Sequence, residues 1–225
     1  MHTHPPLTLS DGAYTLPDAA RVLRLPLPRL RTWVRGVVAC DGLRLPIGEF
    51  VSSGSGRDRH FGFWTLIELF TVAELRSLGV SMPTLRAARV ELACRRDVAH
   101  PFACRGLLTD GRRLLQELGD GALLELGTKG QTAFAEVLLP FCRKLDFGRA
   151  SELAERYFPL GRESGIVVDP RIAFGRPSVL GTGIATETIA ALMRGGELPG
   201  DVAAAFSIDQ SLVNAAWEFE HRPAA

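Results

Sequence analysis

Apolar residues return at helical spacing in two short blocks near the start of the chain: Leu16, Ala19, Ala20 and Leu23, then, after a break at Leu25-Pro26, Leu27, Leu30, Trp33 and Val34. Residues three and four apart share one helix face, so the spacing predicts two short helices joined by a tight turn and packed face to face. Pro17 fits a first helical turn, where its missing amide is not needed. Arg29, Arg31, Thr32 and Arg35 fall off the apolar stripe of the second helix. Residues 37–45 and 48–51 look extended and Ser52-Ser53-Gly54-Ser55-Gly56 reads as a tip. Arg57, Arg59 and His60 then lead into Phe61-Gly62-Phe63-Trp64, giving the pattern of a wing-like hairpin with a basic tip. Leu66, Ile67, Phe70, Ala73 and Leu78 predict a longer helix that stops at Gly79, and Ser81 is placed to cap another through Leu85, Ala88 and Leu92. Trp33 and Trp64 read as core side chains.

From residue 101 the pattern changes. His100-Pro101-Phe102, Leu107-Leu108-Thr109 and Leu114-Leu115-Gln116 suggest short strands, the last two separated by the hairpin dipeptide Asp110-Gly111, and residues 123–126 add another. Residues 132–145 read as a helix with Phe134, Val137, Leu138, Phe141 and Leu145 on one side and a break at Pro140. Further on, Ile189, Leu192 and Met193 mark one helix and residues 202–206 a short second. A third runs over 209–219, capped by Ser207 or Asp209; these are the proportions of a helix-turn-helix.

Composition narrows the function classes. The 225 residues carry 26 Lys and Arg against 25 Asp and Glu. The balance is uneven: residues 1–100 hold 13 basic and 9 acidic side chains, residues 101–225 hold 13 and 16. Clustering rather than total charge therefore decides whether nucleic acid is a partner. Arg outnumbers Lys 24 to 2, which would suit bidentate phosphate contacts but is better explained by GC-rich coding. Cys40, Cys94, Cys104 and Cys142 form no Cys-x-x-Cys pair and read as free thiols. The histidines are scattered, and neither a Gly-x-Ser-x-Gly elbow nor a phosphate-binding Gly-x-x-x-x-Gly-Lys loop occurs. Glu152, Glu155 and Glu163 read as solvated carboxylates rather than a metal set. No catalytic residue, cofactor or metal is expected. The opening Met1-His2-Thr3-His4-Pro5-Pro6 lacks a basic and an apolar signal region, and no apolar run is long enough for a bilayer. A cytoplasmic protein without a membrane segment is expected.

The densest local pattern is residues 166–184, where Val167 and Val168 favour an extended run, Pro170 and Pro177 lack amide donors, and Gly175, Gly181 and Gly183 accept positive φ. This predicts a small β-hairpin or β-arm feeding a helix, with Thr186 as N-cap and Glu187 against the positive end of the helix dipole. Asp169, Pro170, Ile172, Gly175, Pro177, Gly181, Thr182 and Ile184 fill every position of an Asp-Pro-x-Ile-x-x-Gly-x-Pro-x-x-x-Gly-Thr-x-Ile signature. By that signature, residues 165–219 resemble family 433 of the domains of unknown function. The resemblance implies a β-arm plus a helix-turn-helix-like bundle of the kind found in antitoxins of VapBC-like toxin-antitoxin pairs. Upstream, the order helix-turn-helix, hairpin, helix, Leu78-Gly79-Val80-Ser81, helix, together with Leu30-Arg31-Thr32-Trp33, resembles the DNA-binding domain of MerR-type regulators over residues 14–92. Arg24 stands where that family usually has a turn glycine, and Pro26 where it usually has a capping Ser or Thr.

The expected architecture is α+β and mostly helical. It comprises an N-terminal MerR-like winged helix-turn-helix over 14–100, a mixed α/β connector over 101–164, and a C-terminal β-arm plus three-helix domain over 165–225. The resemblances imply a VapB-type antitoxin that neutralises a PIN-like ribonuclease toxin and autoregulates its operon as a homodimer on operator DNA. The alternative is a MerR-like regulator answering a small ligand or protein through residues 101–164, with no toxin partner. Arg29, Arg31, Thr32, Arg35, Arg57 and Arg59 are the expected DNA contacts. Trp217, Phe219 and Arg222 are candidate partner contacts, with core packing the competing role for Trp217.

Overall fold

The computed structural model describes residues 12–35, 37–38, 44–45, 60–105, 107–109, 114–117, 123–126, 143–149 and 151–222. Among them the chain is α+β and mostly helical, with seven α-helices and four small antiparallel sheets. The expected hairpin tip with Arg57 and Arg59, and the helix expected over 132–142, lie outside the described residues.

Helix α1 (Leu16–Leu23) opens with a capping box: Thr15 Oγ1 accepts the Asp18 amide, and the Asp18 carboxylate accepts the Thr15 amide at 2.8 Å. It ends at Arg24, whose φ of 56° and ψ of 39° are left-handed. Helix α2 (Leu27–Arg35) follows at once and buries Leu30, Trp33 and Val34. Strands β1 (Val37–Val38) and β2 (Arg44–Leu45) pair antiparallel. The return of the chain is pinned by a bridge between Tyr14 and Phe61, with hydrogen bonds of 2.9 and 3.0 Å.

Helix α3 (Phe63–Ser77) is the central element. Its apolar residues occur on every side, because it is covered all round rather than along one stripe. Ser81 caps α4 (Met82–Arg96) by accepting the Thr84 amide at 3.2 Å, as expected, and Leu85, Ala88 and Leu92 are buried. Glu68 on α3 is fully buried, yet its carboxylate accepts from Arg89 Nε at 3.1 Å, Arg89 Nη2 at 3.2 Å and the Phe102 amide, with His100 Nδ1 at 3.3 Å. This set satisfies a charge that burial would otherwise penalise heavily. The stretch around Phe102 is a 3-10 turn, Pro101–Ala103, and not a strand, because Pro101 and the Phe102 carbonyl serve the α3 surface, where Thr71 Oγ1 donates to that carbonyl at 2.9 Å.

Strands β3 (Leu107–Thr109), β4 (Leu114–Glu117) and β5 (Leu123–Leu126) form an antiparallel meander where strands were expected. Leu145 was expected to end a helix but begins β6 (Leu145–Phe147), which pairs with β7 (Ala154–Tyr157). Leu145, Ala154 and Tyr157 join the core built by α1 to α4. Trp64 is 40 % exposed rather than a core residue: its indole Nε1 donates to the Ala154 carbonyl at 3.0 Å and its ring lies against His100.

A second core lies beyond residue 165. Strands β8 (Ile166–Val167) and β9 (Ser178–Val179) form a two-stranded hairpin, and α5 (Thr186–Arg194), α6 (Pro199–Phe206) and α7 (Gln210–His221) pack Ile189, Val202, Val213, Ala216 and Phe219 beneath it. Asp209 caps α7, accepting the Ser211 amide at 2.7 Å. Thr186 is not a cap: Ala185 takes the N-cap position, and the Thr186 hydroxyl reaches Glu220 Oε1 at 2.5 Å and the Pro177 carbonyl at 3.3 Å.

Candidate functional site

Helix α2 displays its polar residues in a defined way. With Leu30, Trp33 and Val34 turned inward, a turn of 100° per residue places Thr32 and Arg35 opposite the core, and Arg31 and Arg29 on opposite flanks. All four are exposed. The Thr32 hydroxyl donates to the Pro28 carbonyl at 3.0 Å, which keeps it on the helix surface. Arg29 instead borders a cleft between α2, α3 and the end of α7. Arg31, Thr32 and Arg35 therefore share one exposed strip, and Arg29, one turn before Thr32, lies at its edge on the side of the cleft.

The turn between α1 and α2 passes through Arg24, which takes the left-handed conformation. A left-handed backbone is disfavoured for any residue with a Cβ, and glycine is its usual occupant. Here the larger side chain is held by what it touches. Its guanidinium stacks 4.8 Å from the ring centre of Phe219, across the boundary between the two cores. Burial lowers its pKa, partly countered by Glu220.

Phe219 is 1 % exposed and fills the second core, so it is not available to a partner. This corrects its expected role; a phenylalanine in the last turns of an amphipathic helix has the same sequence signal whether it faces in or out. Trp217 is half-buried, with its ring 3.6 Å from that of His221, and Arg222 is exposed at the end of α7.

The 166–184 segment proves to be an internal staple. Gly175, Gly181 and Gly183 have φ of 78°, 78° and 74°, the positive values expected of them. Asp169 accepts the Arg171 amide at 2.9 Å and is gripped by the Arg171 guanidinium at 3.0 and 2.9 Å, while the Ile172 amide closes the turn on the Asp169 carbonyl. Burial opposes its ionisation, but these hydrogen bonds outweigh burial and hold the carboxyl below its usual range. Ile166, Val167, Val168 and Val179 are all buried, and Val168 bridges to Tyr157 of β7. The hairpin is thus packed within the chain rather than projecting as an arm.

Two links join this segment to the N-terminal helices. Tyr14 Oη donates to the Gly175 carbonyl at 2.7 Å in a buried hydrogen bond, and a Cβ at position 175 would overlap that hydroxyl. Burial, reinforced by Asp169 and Asp18, pushes the Tyr14 phenol well above its ordinary pKa, so it stays a donor. Arg21 on α1 contacts both Glu220 carboxylate oxygens at 3.1 and 3.0 Å, and Glu220 also receives the Thr186 hydroxyl. Neither link carries a local sequence signal, because each joins residues more than 30 positions apart.

Residues 166–219 match the model of the family described as protein of unknown function DUF433. The match spans the hairpin and all three C-terminal helices, so the signature residues are those that build the staple. Over 201 aligned residues the chain is 24 % identical to a protein of Mycobacterium tuberculosis (strain ATCC 25618 / H37Rv) named as a candidate antitoxin, VapB45, covering 81 % of this chain and 83 % of that one. The crystal structure of Rv2018 from Mycobacterium tuberculosis superposes with a TM-score of 0.65 at 24 % identity, over 90 % of this chain and 96 % of that one. The fold is therefore shared along nearly the whole chain and not only across the DUF433 region.

Among the described residues, no group of three or more His, Cys, Asp or Glu side chains is placed to hold a metal ion, and no helix is long and apolar enough to cross a membrane. Cys94 is exposed and Cys104 buried; Cys40 and Cys142 lie outside the described residues.

Proposed function

We propose that this protein is the antitoxin of a type II VapBC-like pair, neutralising a PIN-like ribonuclease toxin and autoregulating its operon on operator DNA. The observation that carries the reading is the likeness to VapB45 across more than four-fifths of both chains, joined to the DUF433 match. In this reading residues 14–100 are a MerR-like winged helix-turn-helix that binds DNA as a homodimer. The α2 strip of Arg31, Thr32 and Arg35, with Arg29 at its edge, enters the major groove, and Arg57 and Arg59 of the hairpin contact flanking phosphates. Residues 101–164 connect this unit to the antitoxin-type domain at 165–225. Exposed Arg222 and half-buried Trp217 are its remaining candidate toxin contacts. No catalytic role is assigned.

Co-expression with the product of the adjacent reading frame tests the reading. A stable complex and rescue of growth are expected; no complex and no rescue would remove the antitoxin role. Operator binding is tested separately by mobility shift on the upstream DNA, where binding that weakens as salt rises is expected. Failure of the wild-type chain to shift that DNA even at low salt would remove the DNA-reading role while leaving toxin binding intact.

A second reading, a MerR-like regulator answering a small ligand without a toxin, is favoured by one observation: the cleft bordered by Arg29 has side chains from both cores and from the connector.

A further inference from the structure

The cleft has a volume of about 620 Å³ and lies where the α1–α2 turn, α3, the end of β7 and the end of α7 meet. That volume falls within the range of small-molecule sites, roughly 300–1,000 Å³. Five cationic side chains line it, Arg24, Arg29, Arg76, Lys144 and Arg222, against a single carboxylate, Glu74. Two of the five are occupied within the chain. Lys144 lies 3.8 Å from Glu74, and Arg76 donates to the Val80 carbonyl at 2.7 Å. Among the described residues, the guanidinium groups of Arg24, Arg29 and Arg222 form no ion pair. Arg24 is the most exacting: its Nε and Nη2 are buried without a hydrogen-bond partner. The nearby carboxylate of Glu220 is already committed to Arg21 and Thr186.

The half-buried Arg24 charge meets the Phe219 ring but, at Nε and Nη2, no acceptor among the described residues, and a carboxylate or phosphate in the cleft supplies the missing opposite charge. The other walls of the cleft are different in kind. Trp33, Phe70, Tyr157 and Leu160 give it an apolar, largely aromatic side. A lone inorganic anion would leave that side and most of the volume unfilled.

We propose that this cleft binds a small organic anion with an aromatic body, its carboxylate or phosphate held by Arg24, Arg29 and Arg222 and its ring against Trp33 and Tyr157. Such a ligand touches the α1–α2 turn and the last turn of α7 together, so it bears on how the N-terminal helices sit against the C-terminal core. The inference is independent of a toxin partner and stands or falls without one.

Calorimetric titration of the full-length chain with phenyl phosphate, benzoate, inorganic phosphate and phenol tests it, with amide chemical shifts read in parallel. Saturable binding of phenyl phosphate or benzoate is expected, and the stronger of the two identifies the head group. Inorganic phosphate and phenol should each bind about tenfold more weakly or not at all, since each supplies only half of the contacts. Shifts should concentrate at residues 24–29 and 219–222. Arg24→Asn keeps a residue that tolerates the left-handed turn and should weaken binding by about tenfold or more. Arg222→Gln, which leaves the turn untouched, should do the same should the first variant fail to fold. Absence of saturable binding by both aromatic anions up to about 10 mM, or binding indifferent to Arg222→Gln, would overturn the proposal. So would shifts confined to other residues.

Discussion

Replacing Gly175 by alanine probes the link between the N-terminal helices and the DUF433 segment. The residue has a φ of 78°, its carbonyl accepts the buried Tyr14 hydroxyl at 2.7 Å, and a Cβ there overlaps that hydroxyl. A left-handed backbone costs alanine about 1 kcal/mol relative to glycine. Displacing Tyr14 leaves a buried hydroxyl without its acceptor, about 1–3 kcal/mol more. Gly175→Ala should therefore destabilise the protein by about 2–4 kcal/mol, a large part of a typical domain stability of about 5–15 kcal/mol. Tyr14→Phe removes the hydroxyl without touching the backbone and should cost about 1 kcal/mol. Urea denaturation followed by circular dichroism gives each value, and the double variant supplies the decisive figure. With no hydroxyl at position 14 part of the overlap disappears, so the two substitutions should be non-additive by at least about 1 kcal/mol. Additivity, or a Gly175→Ala variant within about 0.5 kcal/mol of the parent, would refute the coupling of Tyr14 to the signature glycine.

Further outcomes follow from other interactions. Glu68→Gln strips the charge from a fully buried acceptor set and strands Arg89; unfolding midpoints should fall by the equivalent of about 2–4 kcal/mol. Asp169 has a folded pKa below that of the unfolded chain, so its contribution is fully present above about pH 4 and drains away as pH falls through the folded value. Asp169→Asn should flatten the acid limb of a stability profile and leave its slope near neutrality unchanged. Glu220→Gln loosens Arg21 and Thr186 together, and hydrogen exchange should quicken at the first turn of α5 and the end of α7. For operator DNA, Arg31→Ala and Arg35→Ala should each reduce the slope of log affinity against log salt by about 0.9 for every phosphate that is no longer neutralised; unchanged slopes in both would place the DNA-reading surface elsewhere.

Local patterns were legible where one periodicity governed a stretch. The apolar spacing from Leu16 to Val34 located α1, the turn and α2, and Ser81 capped α4 because its hydroxyl sits one residue ahead of a helical run. Gly175, Gly181 and Gly183 took positive φ for the same steric reason that singled them out. Tertiary demands were not legible. Leu145 looked helical beside Phe141, yet Asp146 is held by Arg156 at 2.8 Å and by Arg162, which favours a hairpin that helical spacing cannot reveal. Trp64 looked like a core residue until the Ala154 carbonyl gave its indole nitrogen a partner near the surface. Arg29 and Arg31 both lie off the apolar stripe on opposite flanks, but helical spacing alone does not show that the flank of Arg29 borders a cleft. Arg24 takes a left-handed backbone that usually selects glycine, and the ring beneath its side chain belongs to Phe219, nearly two hundred positions away.

The Tyr14–Gly175 hydrogen bond also constrains how such chains recombine. A signature glycine that only bent the backbone would travel freely with its module from one gene fusion to another. Here the glycine carbonyl is half of a buried pair whose other half is a tyrosine ahead of α1. A DUF433 segment grafted behind a foreign N-terminal unit would arrive with an orphaned acceptor and an open seam, so productive chimaeras should carry both sides of the joint or supply a new donor at that point.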